Sequence, residues 1–451
     1  MPKNQMLLGR LQELRRHVDA LPNEVEAWKD RSQKDIDMEA HFSQLQALGV
    51  LMSAFEKRQR ALLDQLQVLP DSEPARLKAF ELVQEIIKAQ KIWDFFRDKL
   101  ELRFSPVFKD PLWVADTVAW DCYRPVLDRA SDEGILARSE LREPPLTYLT
   151  ANFSPATWVR GSRPTDGRNY DLGVSLLPIP VIELPWDHVV NYWEFLSLDH
   201  EVAHDLEADL KLRPSLFLSL QTELMKANVP ANRINVWLAW LAEVFADLVA
   251  LQLAGSAFAE SLAHLLLLPS AMVTMFNAND PHPTPYVRIL MNAAYIRTLA
   301  PGRQELGAHA GQLEAGWLEL YGKQPQYQGF FYDLPFVFKA LMDTPFVALK
   351  NKTVRELMPF TAADDQRIRD AARYISDGEN PPGLIRPRHC ISAALFAFSS
   401  QHMDAADLDA RLEEINNRTA ALVRLNAAPG LRAGDDSTPH QKFIARFAAS
   451  L

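Results

Sequence analysis

Two cysteines among 451 residues, Cys122 and Cys390, are too few and too far apart to staple a small secreted fold or to build a CxxC metal knuckle. They read as two reduced core thiols, which points to the cytoplasm, and His389 beside Cys390 forms no ligand pattern with it. Sustained Lys/Arg runs are also missing, and a net charge of −10 argues against nucleic acid or an anionic membrane as partner. Arg10, Arg15 and Arg16, like Lys57, Arg58 and Arg60, read as solvated helix faces. No long uninterrupted apolar run occurs. The most apolar region, residues 236–276, is broken by Glu243, Asp247, Glu260, His264 and Pro269, so buried helices rather than membrane insertion are expected. The first twenty residues carry early charges and no secretory apolar core. Nucleophile elbows, Walker loops and GxGxxG turns are absent, as are repeats and low-complexity tracts.

What is present is a chain of 48% hydrophobic content, long enough for two or three domains. The expected fold class is mainly α with a small β-sheet (α+β), a zincin-like core flanked by helical regions. Residues 1–105 show a helical stripe through Leu45, Leu48, Met52, Phe55, Leu62, Leu66 and Leu69, which predicts a hairpin or coiled-coil-like arm able to hold a protein partner. Breaks are predicted at Leu21-Pro22-Asn23 and at 70–74. Residues 106–300 form the expected core. Long helical periods thin out over 106–185, where a small sheet is predicted, and the prolines in LLPIPVIELP (176–185) confine that run to a sheet edge that could pair with an extended peptide. Residues 301–451 read as helical again, over 306–321, 334–349, 354–375, 391–398 and 404–425, with punctuation at 377–387 and a mobile tail from about 427.

The chemistry concentrates in SLDHEVAHDLEADL, residues 197–210. His200 and His204 are four apart, so on a helix both imidazoles leave the same face and can converge on one metal ion, with Glu201 beside them. That helix is expected to run over 186–210. A second apolar helix is expected over 234–254, closing near Gly255. It carries Glu243 and Asp247, also four apart, and a buried carboxylate pair needs a cation or several donors to compensate its desolvation, which a metal would supply. Glu243 is therefore the candidate third ligand, and Asp247 the group that accepts a hydrogen bond from a ligand imidazole. Asp199, Asp205 and Glu207 read as solvated helix-face residues.

At this point the chain resembles the gluzincin metallopeptidases, in which HExxH is followed by a helix bearing ExxxD; here these are His200 to His204 and Glu243 to Asp247. The segment from His282 to Ile289 is similar to the HPxxxxRI block of metallopeptidases related to the CAAX prenyl proteases, although the membrane helices common in that group are lacking here. The resemblance covers about 100 residues. It implies a soluble Zn2+-dependent peptidase acting on a peptide or protein substrate, with Glu201 as general base. His282, Tyr286 and Tyr295 are candidate oxyanion donors and Arg288 a structural partner of a carboxylate. A catalytically idle zincin-fold scaffold is the alternative, and a zinc hydrolase acting on another bond is a third reading.

Overall fold

Leu11, Leu14, Val18, Leu21 and Val25 recur at alternating three- and four-residue steps, and that buried stripe builds the first helix, α1 (Gln5–Ser32). The computed structural model describes residues 5–34, 38, 41–162, 177–277, 280–378, 383–400 and 408–427; the tail beyond 427 and part of the 377–387 loop lie outside the described residues. The break predicted at Pro22 does not occur. Pro22 sits inside α1, where continuous burial of Leu21 and Val25 outweighs one lost backbone hydrogen bond. Helices α2 (Phe42–Val68) and α3 (Glu73–Glu101) flank the predicted break at 70–74. Their outer ends share a small core of Leu14, Val18, Leu63 and Leu82. Their inner ends join Trp93 and Phe96 to Leu146, Ile179 and Val181 of the sheet region.

A long helix that the sequence reading missed follows, α4 (Lys109–Asp132). Of its 24 residues 15 are buried, so it is covered on most sides. The sheet has three strands, β1 (Leu146–Thr150), β2 (Ala156–Trp158) and β3 (Val181–Pro185), in the order β1-β3-β2. β3 is parallel to β1 and antiparallel to β2. The predicted edge strand is therefore the central one. Pro178 and Pro180 precede it and Pro185 is its last residue, so residues 181–184 keep their amide donors and every residue is buried. The edge is β2.

Two 3-10 turns, Trp186–Val189 and Tyr192–Leu196, occupy the first part of the segment expected to be one helix; the α-helix proper is α5 (Ser197–Asp209). After α6 (Arg213–Lys226), the apolar run expected as one helix is two, α7 (Ala231–Ala239) and α8 (Leu241–Ala254), bent by 62°. No proline or glycine marks that bend. It falls at Trp240, whose ring packs edge-on to Trp237 and against Phe330, so tertiary packing sets it. Glu243 consequently lies in the first turn of α8. Among the described residues no single helix is long and apolar enough to cross a membrane, and the bent α7–α8 pair passes that test only jointly.

The remaining helices are α9 (Ala257–Leu265), α10 (Ser270–Thr274), α11 (Pro285–Leu299), α12 (Gln304–Tyr321), α13 (Gln328–Phe338), α14 (Val354–Leu357), α15 (Ala362–Asp377), α16 (Pro387–Ser399) and α17 (Leu408–Asn426). α13 gives way to a π turn at Lys339–Asp343 instead of running on to 349, and the stretch read as one helix over 354–375 is divided at Met358-Pro359-Phe360. The fold is mainly helical with one small mixed sheet. One core extends from α4 to α17, and α5 lies within it against α4 and α8.

Candidate metal centre

α5 and α8 bring three ligand atoms together. His200 Nε2 lies 3.2 Å from His204 Nε2 and 3.2 Å from Glu243 Oε2, and His204 Nε2 lies 3.5 Å from Glu243 Oε1. Tetrahedral coordination at about 2.0–2.1 Å from a zinc ion sets neighbouring ligand atoms about 3.3 Å apart. The two imidazole nitrogens stand at about that separation, and each stands at about that distance from one of the two Glu243 carboxylate oxygens.

Behind the cluster, His200 Nδ1–H donates to Asp247 Oδ1 at 2.9 Å, which fixes the ring so that Nε2 faces the other ligands. Asp247 is fully buried and held by more than the histidine. Arg288 from α11 donates through Nε at 2.7 Å and Nη2 at 2.6 Å, and Asn292 Nδ2 adds a bond at 3.2 Å. The cation expected for the carboxylate pair is thus supplied to Asp247 by Arg288, while Glu243 turns toward the histidines. Arg288 Nη2 reaches Glu243 only at 3.6 Å.

These contacts set the charges. Burial disfavours charge on His200, but its bonds to Asp247 and Glu243 win and lift it to about 10. Burial and the neighbouring His200 push His204 down to about 3. Glu243 is held well below the usual carboxylate range: burial opposes ionisation, and the hydrogen bond and charge of His200, with Arg288, overcome it. Burial raises Glu201 to about 7, opposed by His200 and reinforced by Glu243.

The cluster opens into a cleft of about 1110 Å³ lined by Glu201, His282, Glu207, Trp193, Phe258 and the 152–157 segment, among others. That segment is fixed by Glu183 on β3, whose carboxylate accepts from Trp158 Nε1 at 2.6 Å, Asn152 Nδ2 at 2.8 Å and the Tyr148 hydroxyl. β2 runs along the cleft with Thr157 Oγ1 donating to Asp205 at 3.4 Å, and its outer edge pairs with no strand of this sheet.

The structure does not bring all the sequence candidates together. His282 reaches the cluster, with Nε2 3.4 Å from Glu243 and Nδ1 3.0 Å from Asp280, and its ring is half exposed. Tyr286 does not line the cleft; its hydroxyl donates to the Gly322 carbonyl at 3.0 Å and accepts from the Gln324 amide. Tyr295 is fully buried against Gln252, which donates to its oxygen at 2.7 Å. Both hydroxyls are committed elsewhere. Asp199, Asp205 and Glu207, expected in solvent, are buried instead. Asp199 accepts from the Cys122 thiol at 3.1 Å, and Glu207 pairs with Arg213 at 2.5 Å. Glu207 lies seven residues after His200 and three after His204, so its place on the metal-facing side was open to a helical reading. Arg213, Trp193 and Phe258 gave no such signal.

Comparison of the chain with protein-family models, with curated proteins and with solved structures finds no match.

Proposed function

We propose that this chain is a zinc-dependent peptidase of gluzincin type. The observation that carries the reading is the convergence of His200 Nε2, His204 Nε2 and the Glu243 carboxylate at tetrahedral-edge spacing on the wall of a large cleft that Glu201 also lines. His200, His204 and Glu243 hold the zinc. When bound, zinc supplies Lewis-acid polarisation of a carbonyl and lowers the pKa of water. Asp247, clamped by Arg288, keeps His200 oriented. Glu201 takes the proton of the attacking water and carries it to the leaving amine. His282, half exposed beside Glu243, donates to the developing oxyanion. The outer edge of β2, which pairs with no strand among the described residues, supports a peptide as substrate, because an extended chain can add to it as a strand while its side chains fill the cleft. Two unpaired buried thiols suit a reducing compartment such as the cytoplasm.

The test is metal content and peptide-library hydrolysis of the purified chain, its Glu243→Ala variant and its Glu201→Gln variant. The expected result is about one zinc per chain, lost in Glu243→Ala, with cleavage abolished and zinc retained in Glu201→Gln. Zinc without cleavage in the wild type would establish an idle scaffold instead, and absence of zinc would overturn the site.

A further inference from the structure

Helix α5 ends in a turn that folds the chain back over its own last residues. The Leu212 N–H donates to the Glu207 carbonyl at 2.9 Å and the Lys211 N–H to that of Ala208 at 3.1 Å, the paired bonds of a Schellman cap. Lys211 takes the left-handed position of that cap, φ 56°, where glycine is the usual residue, and the buried side chains of Leu210 and Leu212 on either side hold it there. Arg213 follows at once as the first residue of α6, with Pro214 fixing the helix start behind it. The reversal sets Arg213 beside Glu207.

Glu207 lies three residues beyond His204 on α5, so it shares the face that carries His200 and His204. Its side chain is buried, whereas that of Arg213 is 52% exposed, and Arg213 Nε stands 2.5 Å from Glu207 Oε1. Both residues line the metal cleft. Behind burial and His200, the charge of Arg213 is among those that hold the His204 pKa down, so the guanidinium stands within electrostatic reach of the metal centre. A guanidinium carries five N–H donors, and Glu207 meets it only at Nε. Nη1 and Nη2 bond to no other described residue. Arg288, the other arginine of the cleft lining, is committed to Asp247. With a buried carboxylate fixing its Nε side, Arg213 presents in the cleft the planar Nη fork whose spacing matches the two oxygens of a carboxylate. A peptide carries that group in two places, at its C-terminus and on Asp or Glu side chains.

We propose that Arg213 is a specificity-determining residue of the cleft: it receives a carboxylate of the substrate, from the C-terminus or from an acidic side chain close to the scissile bond. This rests on the peptidase reading and names its substrate class, peptides with a carboxylate at a fixed distance from the bond that is cut.

The experiment takes a sequence that the wild type cleaves or, failing cleavage, the tightest binder from a peptide library. One series ends at successive positions beyond the scissile bond, each peptide made as the C-terminal acid and as the amide. A second series, all amides, places Glu, Gln or Lys at each flanking position in turn. For wild type, kcat/KM is expected to favour the carboxylate over its neutral counterpart by about ten-fold or more at one position, the size of one charge-assisted hydrogen bond. Lys at that position should be cleaved worse than Gln. A peak in the first series assigns the group to the substrate terminus, and a peak in the second assigns it to a side chain. The ratio should fall to about one in Arg213→Met and in Arg213→Gln, two variants made so that a folding failure of either leaves the other. Equal cleavage of charged and neutral peptides by wild type, or a preference that survives both variants, overturns the carboxylate site. The same peptides are titrated by calorimetry into zinc-loaded Glu201→Gln protein, with and without Arg213→Met. Carboxylate-selective binding that depends on Arg213, without any wild-type cleavage, would sink the peptidase and keep the site; cleavage without that selectivity would do the reverse.

Discussion

Arg288 grips Asp247 with two hydrogen bonds, 2.7 and 2.6 Å long, in a site where Asp247 has no exposed surface. The pair ties α11 to α8 and, through Asp247, to His200. Removing Arg288 takes two charge-assisted bonds from the buried Asp247 carboxylate and leaves it only His200 and Asn292 of the partners described above, so Arg288→Met is expected to destabilise the fold by about 3 kcal/mol. Asp247→Asn removes the charged acceptor of His200 and should weaken zinc binding by about 10- to 100-fold. The double variant Asp247→Leu/Arg288→Met should recover much of the stability of Arg288→Met while zinc affinity stays low. Urea unfolding and competitive zinc titration separate the two effects, and equal zinc affinity in wild type and Asp247→Asn would show that Asp247 does not orient the ligand.

Gly255 ends the helix that carries Glu243, with φ 70° and ψ −155°, a conformation side chains rarely adopt. A Cβ there would also stand 2.6 Å from Cζ of Phe360. Gly255→Ala should therefore lower stability by about 1–3 kcal/mol from the backbone alone, and more with the clash. Adding Phe360→Leu opens room but leaves the backbone strain, so it should restore only part of the loss. Full restoration in a thermal melt would assign the whole effect to Phe360.

The elements that could be read from the sequence are those with a one-sided pattern or a chemical signature. α1 to α3 show apolar stripes, the division at 70–74 shows paired prolines, and the i, i+4 spacings of His200/His204 and Glu243/Asp247 place each pair on one helix face. Burial of a charged side chain leaves no mark in the sequence, so Asp199, Asp205 and Glu207 read as surface residues although the fold encloses them. The bend at Trp240 and the central position of β3 depend on partners far along the chain, Phe330 in one case and β1 and β2 in the other. Likewise Arg288 was recognisable as an ion-pair candidate, but its choice of Asp247 over Glu243 is decided by tertiary geometry.

Cys122 is buried with its thiol donating to Asp199, and burial followed by the Asp199 charge pushes its pKa well up; burial does the same to Cys390. A thiol that cannot ionise is a poor nucleophile. The folded protein should therefore resist iodoacetamide at about pH 8, where a free thiol reacts readily, and both residues should label once guanidinium unfolds the chain. Mass spectrometry counts the adducts, and rapid labelling of Cys122 in the folded protein would contradict its buried contact with Asp199.

Zinc must displace a proton to bind. In the metal-free protein Glu243 is already ionised and His204 already neutral, whereas His200, lifted to about 10 against its burial by Asp247 and Glu243, carries a proton on each ring nitrogen. Binding through Nε2 releases one of them. Because the free protein holds the proton at every pH below about 10, zinc affinity should climb with pH over that range, by about ten-fold per unit for a single proton, and level off above it. Glu201, raised to about 7 mainly by burial, would titrate in the same window, so Glu201→Gln is the protein to use. Calorimetry in two buffers of different ionisation enthalpy, at about pH 6, should return close to one proton released per zinc. A value near zero, with affinity independent of pH, would mean that His200 is neutral before the metal arrives and that its bond to Glu243 does not survive in solution.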